Sequence, residues 1–174
     1  MRSRRLLIAL ALLTGIGLVP TAALADRPTV INGGGTGTFG ADLDGDGDID
    51  GSHFGLGVVI PGDGSVRGHF QCLMAGNADI LGLPLMAVEG KVAAASVSGS
   101  TAFVSGVAAV NLANGVKFTN VPFSVILTPG GPGTGSLRLT VIGAFDGVPG
   151  DTVAGNGNYD LPTETVSAGQ IRMP

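Results

Sequence analysis

Five aspartates fall at every second position of one short segment, and a glycine directly follows the third: Asp42, Asp44, Asp46, Asp48 and Asp50, with Gly47. Ca²⁺ takes six to eight oxygen ligands, and a short loop supplies them when successive carboxylates turn toward one centre. Carboxylates this close repel one another unless a cation lies between them. The spacing predicts one calcium ion, held by the backbone carbonyl of Asp48 and the carboxylates of the other four. The alternative is a solvated turn, because Asp and Gly are common turn formers.

Counted from Asp42, the loop has carboxylates at positions 1, 3, 5 and 9 and glycine at position 6. Over these nine positions it resembles the EF-hand calcium loop, although position 12 is His53 where that loop has Glu. It also resembles the D-x-D-x-D-G-x-x-D loop of FG-GAP repeats, which joins two strands. The flanks TGTFGA and HFGLGVVI are typical of strands, so the hairpin version is expected. Ile49, at position 8, is expected to anchor the loop on a neighbouring element.

The start of the chain has the features of an export signal. Three arginines precede position 6, an apolar run covers 6–18, and 23–25 is a small-x-small cleavage site. These features predict a signal peptide over 1–25 and a secreted, periplasmic or cell-surface protein. The general secretory and twin-arginine routes both remain open. The apolar run is too short for a membrane span, so no transmembrane segment is expected in the mature chain.

The remainder is predicted to be a flexible leader over 26–35, with its glycines as a hinge, and one β domain over 36–174. Without the signal, six basic residues face thirteen acidic ones, a formal charge near −7. That balance argues against a nucleic-acid partner. The chain has a single cysteine, Cys72, which excludes an internal disulfide.

Alternation of apolar and polar residues predicts strands and no long helix. The turn signal Asn114–Gly115 predicts a hairpin, and a bulge is expected at 120–122. The segment 101–112 is apolar on both faces, which favours a place in the middle of the sheet, and the phenylalanines are expected in the core. The predicted fold is all-β, a single antiparallel β-sandwich or small β-barrel of about eight or nine strands. Predicted strands cover 36–41, 54–60, 66–72, 85–97, 101–112, 118–127, 137–143 and 166–171.

Two further clusters are candidate metal sites. His69 and Cys72 form an H-x-x-C pair, but residues three apart in a strand face opposite sides, so a zinc site is not expected. The segment 156–160, NGNYD, alternates oxygen-bearing side chains and could hold a second cation with Asp146 or Asp151; the alternative is an Asn/Gly turn.

The chain has no G-x-S-x-G, H-E-x-x-H or P-loop motif. Its glycine-rich strands and closing A-G-Q-I segment resemble small secreted bacterial proteins, a resemblance that implies no activity. The expected function is a secreted, non-enzymatic β-domain with a structural calcium loop. The alternative is an extracellular binding module that uses the Asp-rich loop or the segment 146–160 to hold a ligand or partner. A hydrolase with an unrecognised carboxylate pair ranks last.

Overall fold

The structure is a computed structural model that describes residues 27–43, 47, 49–80 and 83–174, without the side chains of 75–80 and 83–85. Within these residues the chain forms strands and no helix, and hence no helix long and apolar enough to span a membrane. The all-β prediction is confirmed, whereas the predicted signal peptide lies outside the described residues. The nine strands are β1 Thr29–Thr38, β2 Gly51–Ile60, β3 Arg67–Ile80, β4 Leu83–Ser98, β5 Thr101–Leu112, β6 Lys117–Thr128, β7 Ser136–Ile142, β8 Asn158–Asp160 and β9 Glu164–Arg172.

All nine strands belong to one antiparallel sheet whose order closes into a ring. From β6 the order is β5, β4, β3, β2, β1, β9 and β7, and β7 pairs in turn with β6. The short β8 adds to β7. Of the two architectures expected from the sequence, the strands form one ring-like sheet and not two stacked sheets.

Alternation along each strand sends one set of side chains into the ring and the other outward. On β2, for example, Phe54 and Leu56 are buried, whereas their neighbour His53 is exposed. Across the ring, Phe70 of β3 stacks on Phe123 of β6 with ring centroids 5.6 Å apart. The interior is thus an apolar core to which most strands contribute.

The turns predicted from sequence are present. At Asn114–Gly115, Gly115 has a φ of 82° and its N–H donates to the Leu112 carbonyl at 3.0 Å. The predicted bulge is confirmed on β6, where residues 119 and 120 lie opposite the single Ala109 of β5. Asn120 adopts a φ of 58° there, a conformation that asparagine tolerates better than most residues.

The flexible leader predicted over 26–35 is wrong from Thr29 onward. Gly33, Gly34 and Gly35 lie within β1 and pair with both β2 and β9. Glycines carry no side-chain alternation, so the pattern that indicates a strand is missing here. Their backbone N–H and C=O groups nevertheless have partners on two neighbouring strands. β1 ends at Thr38, whereas the predicted strand continued to 41.

The outward face of β5 is not buried by the described chain. Phe103 is 47% exposed and Val107 is 45% exposed. The prediction that 101–112 lies in the middle of the sheet is confirmed, because β5 pairs with β4 on one side and with β6 on the other. The expectation that every phenylalanine lies in the core is wrong, since Phe103 is partly exposed. In a single closed sheet, the inward face alone packs against the core.

The loop 129–135 lies along β9. The Gly130 and Ile171 backbones exchange two hydrogen bonds of 2.9 and 2.8 Å, and the Val166 N–H donates to the Gly135 carbonyl at 2.9 Å. β7 pairs with β9 at two positions, Ser136 with Thr165 and Leu137 with Glu164. The loop thus supplies hydrogen bonds along the part of β9 that β7 does not reach.

Candidate metal loop and buried polar groups

The Asp loop, residues 42–50, closes the hairpin between β1 and β2. Thr38 pairs with Gly51, and the Phe39 N–H donates to the Asp50 carbonyl at 2.8 Å. The prediction that strands flank the loop on both sides is confirmed. The loop is therefore positioned by two antiparallel strands, as in the strand-loop-strand resemblance, and not by a pair of helices.

The structure describes two of the five predicted ligands, Asp42 and Asp50, whereas the other three lie outside the described residues. Asp42 Oδ2 accepts a hydrogen bond from the Gly47 N–H at 3.0 Å. Asp50 Oδ2 accepts a hydrogen bond from the Leu43 N–H. Gly47 has a φ of 103°, a backbone conformation that side chains rarely adopt. Carboxylates at the first and ninth loop positions thus bond to the loop's own backbone, around a glycine turn.

The two described carboxylates differ in burial. Asp42 is exposed, and Asp50 is fully buried at the end of the loop. An ionised carboxylate taken out of water is costly unless hydrogen bonds or a cation compensate its charge. Carboxylate oxygens are the donor type that Ca²⁺ prefers, and Asp42 and Asp50 supply them at the two ends of the loop. Among the residues that the structure describes, which leave out 44–46 and 48, no group of three or more His, Cys, Asp or Glu could hold a metal.

The residue that anchors the Asp loop on the core is not the expected one. Ile49 is 65% exposed, so its expected contact with a neighbouring element is wrong. Leu43 is the half-buried apolar residue that packs against the core. The reason is the alternation in the hairpin: Asp50 points inward, and its neighbour Ile49 must then point outward.

The segment 146–160 is held by its own backbone amides. Asp146 accepts the Gly155 N–H at 2.6 Å and the Gly157 N–H at 3.0 Å, one on each carboxylate oxygen. Asp151 accepts the Val153 N–H at 3.0 Å. Backbone hydrogen bonds, that of Val153 foremost, hold the pKa of Asp151 below its usual range. These contacts are those of a hydrogen-bonded turn.

Asp160 ends this segment and has side-chain partners on both oxygens. Oδ1 accepts from the Thr140 hydroxyl at 2.8 Å and lies 3.4 Å from the Arg138 guanidinium. Oδ2 accepts from the Asn156 amide nitrogen at 2.7 Å. Because Asn156 turns its N–H₂ group toward Asp160, its amide acts as a donor to the carboxylate. This arrangement supports the turn interpretation of 156–160 over a second cation site.

The Asp loop and the segment 146–160 meet at one end of the ring. A Cβ on Gly150 would lie 2.7 Å from the Tyr159 hydroxyl oxygen and 3.7 Å from Leu43 Cδ1. Burial, and then the charges of Asp151 and Asp50, raise the pKa of Tyr159. The two segments singled out in the sequence are thus neighbours in space.

A buried pair of polar side chains, Ser52 and Glu164, lies inside the ring and belongs to none of the motifs found in the sequence. The Ser52 hydroxyl, on β2, donates to Glu164 Oε2, on β9, at 2.5 Å, and both residues are buried. Cys72 on β3 lies near both. Burial raises the pKa of Cys72 to about 12, with a contribution from the Glu164 charge. The sequence did contain one signal for these positions. Ser52 lies two residues before the core residue Phe54, and Glu164 lies two residues before Val166, so each points to the same face of its strand as a core residue.

Both histidines lie on the outer face. The His53 ring nitrogen Nδ1 lies 3.3 Å from the Thr36 hydroxyl oxygen. His69 is exposed while Cys72 is buried, so the expectation that they face opposite sides is confirmed. A groove of about 420 Å³ crosses the outside of β4, β5 and β6, between Phe103 and Ile126, and includes none of the predicted site residues.

Comparison of the chain with protein-family models, with curated proteins and with solved structures finds no match.

Proposed function

We propose that the protein is an exported, non-enzymatic β-domain whose Asp loop binds one structural calcium ion. The observation that carries the proposal is the strand-loop-strand arrangement of the D-x-D-x-D-G-x-x-D segment. In it, the carboxylates at the first and ninth positions bond to the loop backbone around Gly47. The ligands would be the carboxylates of Asp42, Asp44, Asp46 and Asp50 and the carbonyl of Asp48. Secretion, to the periplasm, the medium or the cell surface, follows from the predicted signal over 1–25.

The ion would neutralise the charge of the loop and hold the β1–β2 hairpin closed. Because position 12 lacks a carboxylate, we expect extracellular-type affinity, with a Kd on the order of 0.1 to 1 mM. A ligand that binds the folded state alone stabilises it, by about 2.7 kcal/mol at a hundred times Kd. The stability of the protein would then follow the calcium concentration outside the cell.

The test is a thermal melt of the chain from Asp26 onward, first in excess chelator and then across a calcium titration. We expect Tm to rise with calcium and not with magnesium at equal concentration, because Mg²⁺ demands a stricter geometry and dehydrates reluctantly. In Asp46→Ala the calcium-dependent rise is lost. Asp63→Ala is the matched control, because Asp63 lies in the exposed turn after β2 and should leave the rise intact. A rise that survives in Asp46→Ala would contradict the proposal.

A second candidate is a binding module that presents an open ion to a ligand. The proximity of the Asp loop to the segment 146–160, through Leu43 and Gly150, favours it, because two loops at one end of a ring form a common surface. A structural ion should be closed to water, whereas a ligand-binding ion should keep water ligands.

Terbium, a luminescent substitute for Ca²⁺, separates the two candidates. Tyr159 is the only tyrosine, the chain has no tryptophan, and the Asp50 charge acts on this phenol. We therefore expect Tyr159 to sensitise terbium emission and Tyr159→Phe to abolish the sensitisation. Emission lifetimes in H₂O and D₂O then count the bound waters. A site without bound water supports the structural role, and a site with several supports the binding module.

A further inference from the structure

Glu164 places a carboxyl group inside the ring. The residue is fully buried. Its Oε2 accepts the hydrogen bond of Ser52 at 2.5 Å, and its Oε1 has no hydrogen-bond partner among the described residues. Gly37 on β1 leaves the space for this side chain, since a Cβ at Gly37 would lie only 3.0 Å from Glu164 Cβ.

Glu164 also lies where the ring is held by the fewest strand pairs. β7 and β9 pair at two positions, and Leu137 with Glu164 is one of them. On the other side of β9, the register with β1 shifts between Thr36 and Gly37. The carboxyl group therefore belongs to the strand that closes the ring, beside its shortest joint.

The surroundings of this carboxyl favour its neutral form. A carboxylate with one hydrogen bond in an apolar interior lacks the compensation that a buried charge needs. A neutral carboxyl with one unpaired oxygen costs far less. Burial raises the pKa of Glu164 to about 7, and the Ser52 hydrogen bond partly offsets this effect.

Cys72 on β3 is the titratable side chain that shares the interior with Glu164 on the strands around it. The other titratable groups on these strands occupy outward positions: Arg67, His53, His69, Arg138 and Arg172. Asp50 directly precedes β2, and Tyr159 and Asp160 lie on β8. Cys72 stays neutral, because burial raises the pKa of its thiol to about 12. Burial also raises the pKa of Tyr159, so the phenol stays neutral as well. No cationic side chain forms an ion pair with Glu164 among the residues that the structure describes.

We propose that Glu164 is a pH-sensitive latch on the joint between β7 and β9. While its carboxyl is neutral, the joint stays closed. When the carboxyl ionises, the joint opens and the side chain reaches water, while the remaining strands stay paired. The calcium site is not required for this behaviour.

The direction follows from proton linkage. A glutamate in an open, solvated chain loses its proton near pH 4.5, whereas the pKa of Glu164 in the closed ring is about 7. Between these two values the closed form keeps a proton that the open form has lost. Closure therefore weakens as the pH rises through this window. The contribution is fully present below about pH 4.5 and is lost above about pH 7.

The test is hydrogen exchange of the chain from Asp26 onward, in excess chelator, expressed as protection relative to an unstructured peptide at each pH. The reporter is the Val166 N–H, which donates to Gly135 at 2.9 Å, and the amides of β5 serve as internal reference. We expect reporter protection to fall at least about tenfold between about pH 5 and pH 8, because one pKa unit corresponds to a factor of ten. In Glu164→Gln, which cannot ionise, it should not fall. An equal fall in Glu164→Gln, or none in the parent, overturns the latch.

Two further variants keep the test decisive. Ser52→Ala removes a hydrogen bond that favours the ionised form, so the fall should continue to a higher pH than in the parent. A fall that ends at the same pH counts against the latch even if Glu164→Gln does not fold. Replacement of both exposed histidines, His53→Asn with His69→Asn, should leave the fall in place. Its disappearance in that double variant would assign the effect to the histidines instead.

Discussion

The Tyr159 hydroxyl donates a hydrogen bond to the Pro149 carbonyl at 2.9 Å. This contact joins β8 to the irregular segment between β7 and β8. The Tyr159 ring is fully buried and meets Phe145 edge to face, with centroids 6.5 Å apart. Phe145 itself has a φ of 61°, which is strained for an aromatic residue. The packing around Tyr159 therefore holds a backbone conformation that the local sequence does not favour.

Tyr159→Phe should loosen this segment without disturbing the ring. The variant leaves the Pro149 carbonyl without its donor, and the loss of such a hydrogen bond costs about 1 kcal/mol. We expect faster hydrogen exchange at the Thr152 N–H, which donates to the Asp160 carbonyl at 2.9 Å, and unchanged exchange in β5. The control is Ser167→Ala, whose exposed hydroxyl donates to Thr36. If Thr152 exchanges at the same rate in both variants, the Tyr159 contact does not hold the segment.

Gly37→Ala should destabilise the protein through Glu164. The added methyl group would collide with the Glu164 side chain inside the ring, and overpacking of this kind costs about 1 to 3 kcal/mol. Gly34→Ala is the matched control on the same strand, because its nearest neighbour would be 3.5 Å away, an ordinary contact. Denaturant unfolding measures both free energies.

A double-mutant cycle assigns the cost to one contact. Gly37→Ala should cost less in a Glu164→Ala background than in the parent, because the atoms that it meets are then absent. Equal costs in the two backgrounds would place the strain elsewhere, for instance in the register shift of β1 beside Gly37.

Cys72 should not react with thiol reagents in the folded protein. Its side chain is buried, and burial raises the pKa of the thiol to about 12, so the reactive thiolate is scarce at neutral pH. We expect labelling at about pH 8 to be at least about a hundredfold slower than in denaturant, as for a thiol more than two pKa units above its ordinary value. Labelling at the same rate with and without denaturant would show that β3 is not packed as described.

Strands could be predicted from the sequence where apolar and polar residues alternate, because one face of the strand is buried and the other is not. Phe54 and Leu56 alternate with outward residues because one face of β2 is buried, and Asn114–Gly115 marks a turn because Gly115 needs a positive φ. The apolar outer face of β5 correctly indicated a strand in the middle of the sheet, but composition does not tell whether that face is covered. The part of β1 before Thr36 escaped prediction because its glycines are held by pairing with distant strands, not by a side-chain pattern.

The Asp loop was predictable as a strand-loop-strand segment because its spacing and flanks are local. The contact between Ser52 and Glu164 was not, because 112 residues separate the two partners. Their meeting depends on the closure of β9 against β1 and β7, which no local pattern encodes. Likewise Leu43, and not Ile49, contacts the core. Asp50 points into the ring just before β2 begins, so its neighbour Ile49 points outward.

Ring closure also governs how copies of this chain meet one another. Every strand except β8 pairs with a neighbour on each side over at least part of its length, and loop 129–135 occupies more of the length of β9. An unpaired strand edge is the template for edge-to-edge aggregation and for fibrils. In the described part of the chain, unpaired lengths of edge include β8 (Asn158–Asp160), 117–122 of β6 and 92–98 of β4. These lengths are short, and opening the joint between β7 and β9 would add longer ones. We therefore expect this glycine-rich and apolar chain to remain dispersed at high concentration as long as the joint between β7 and β9 is closed.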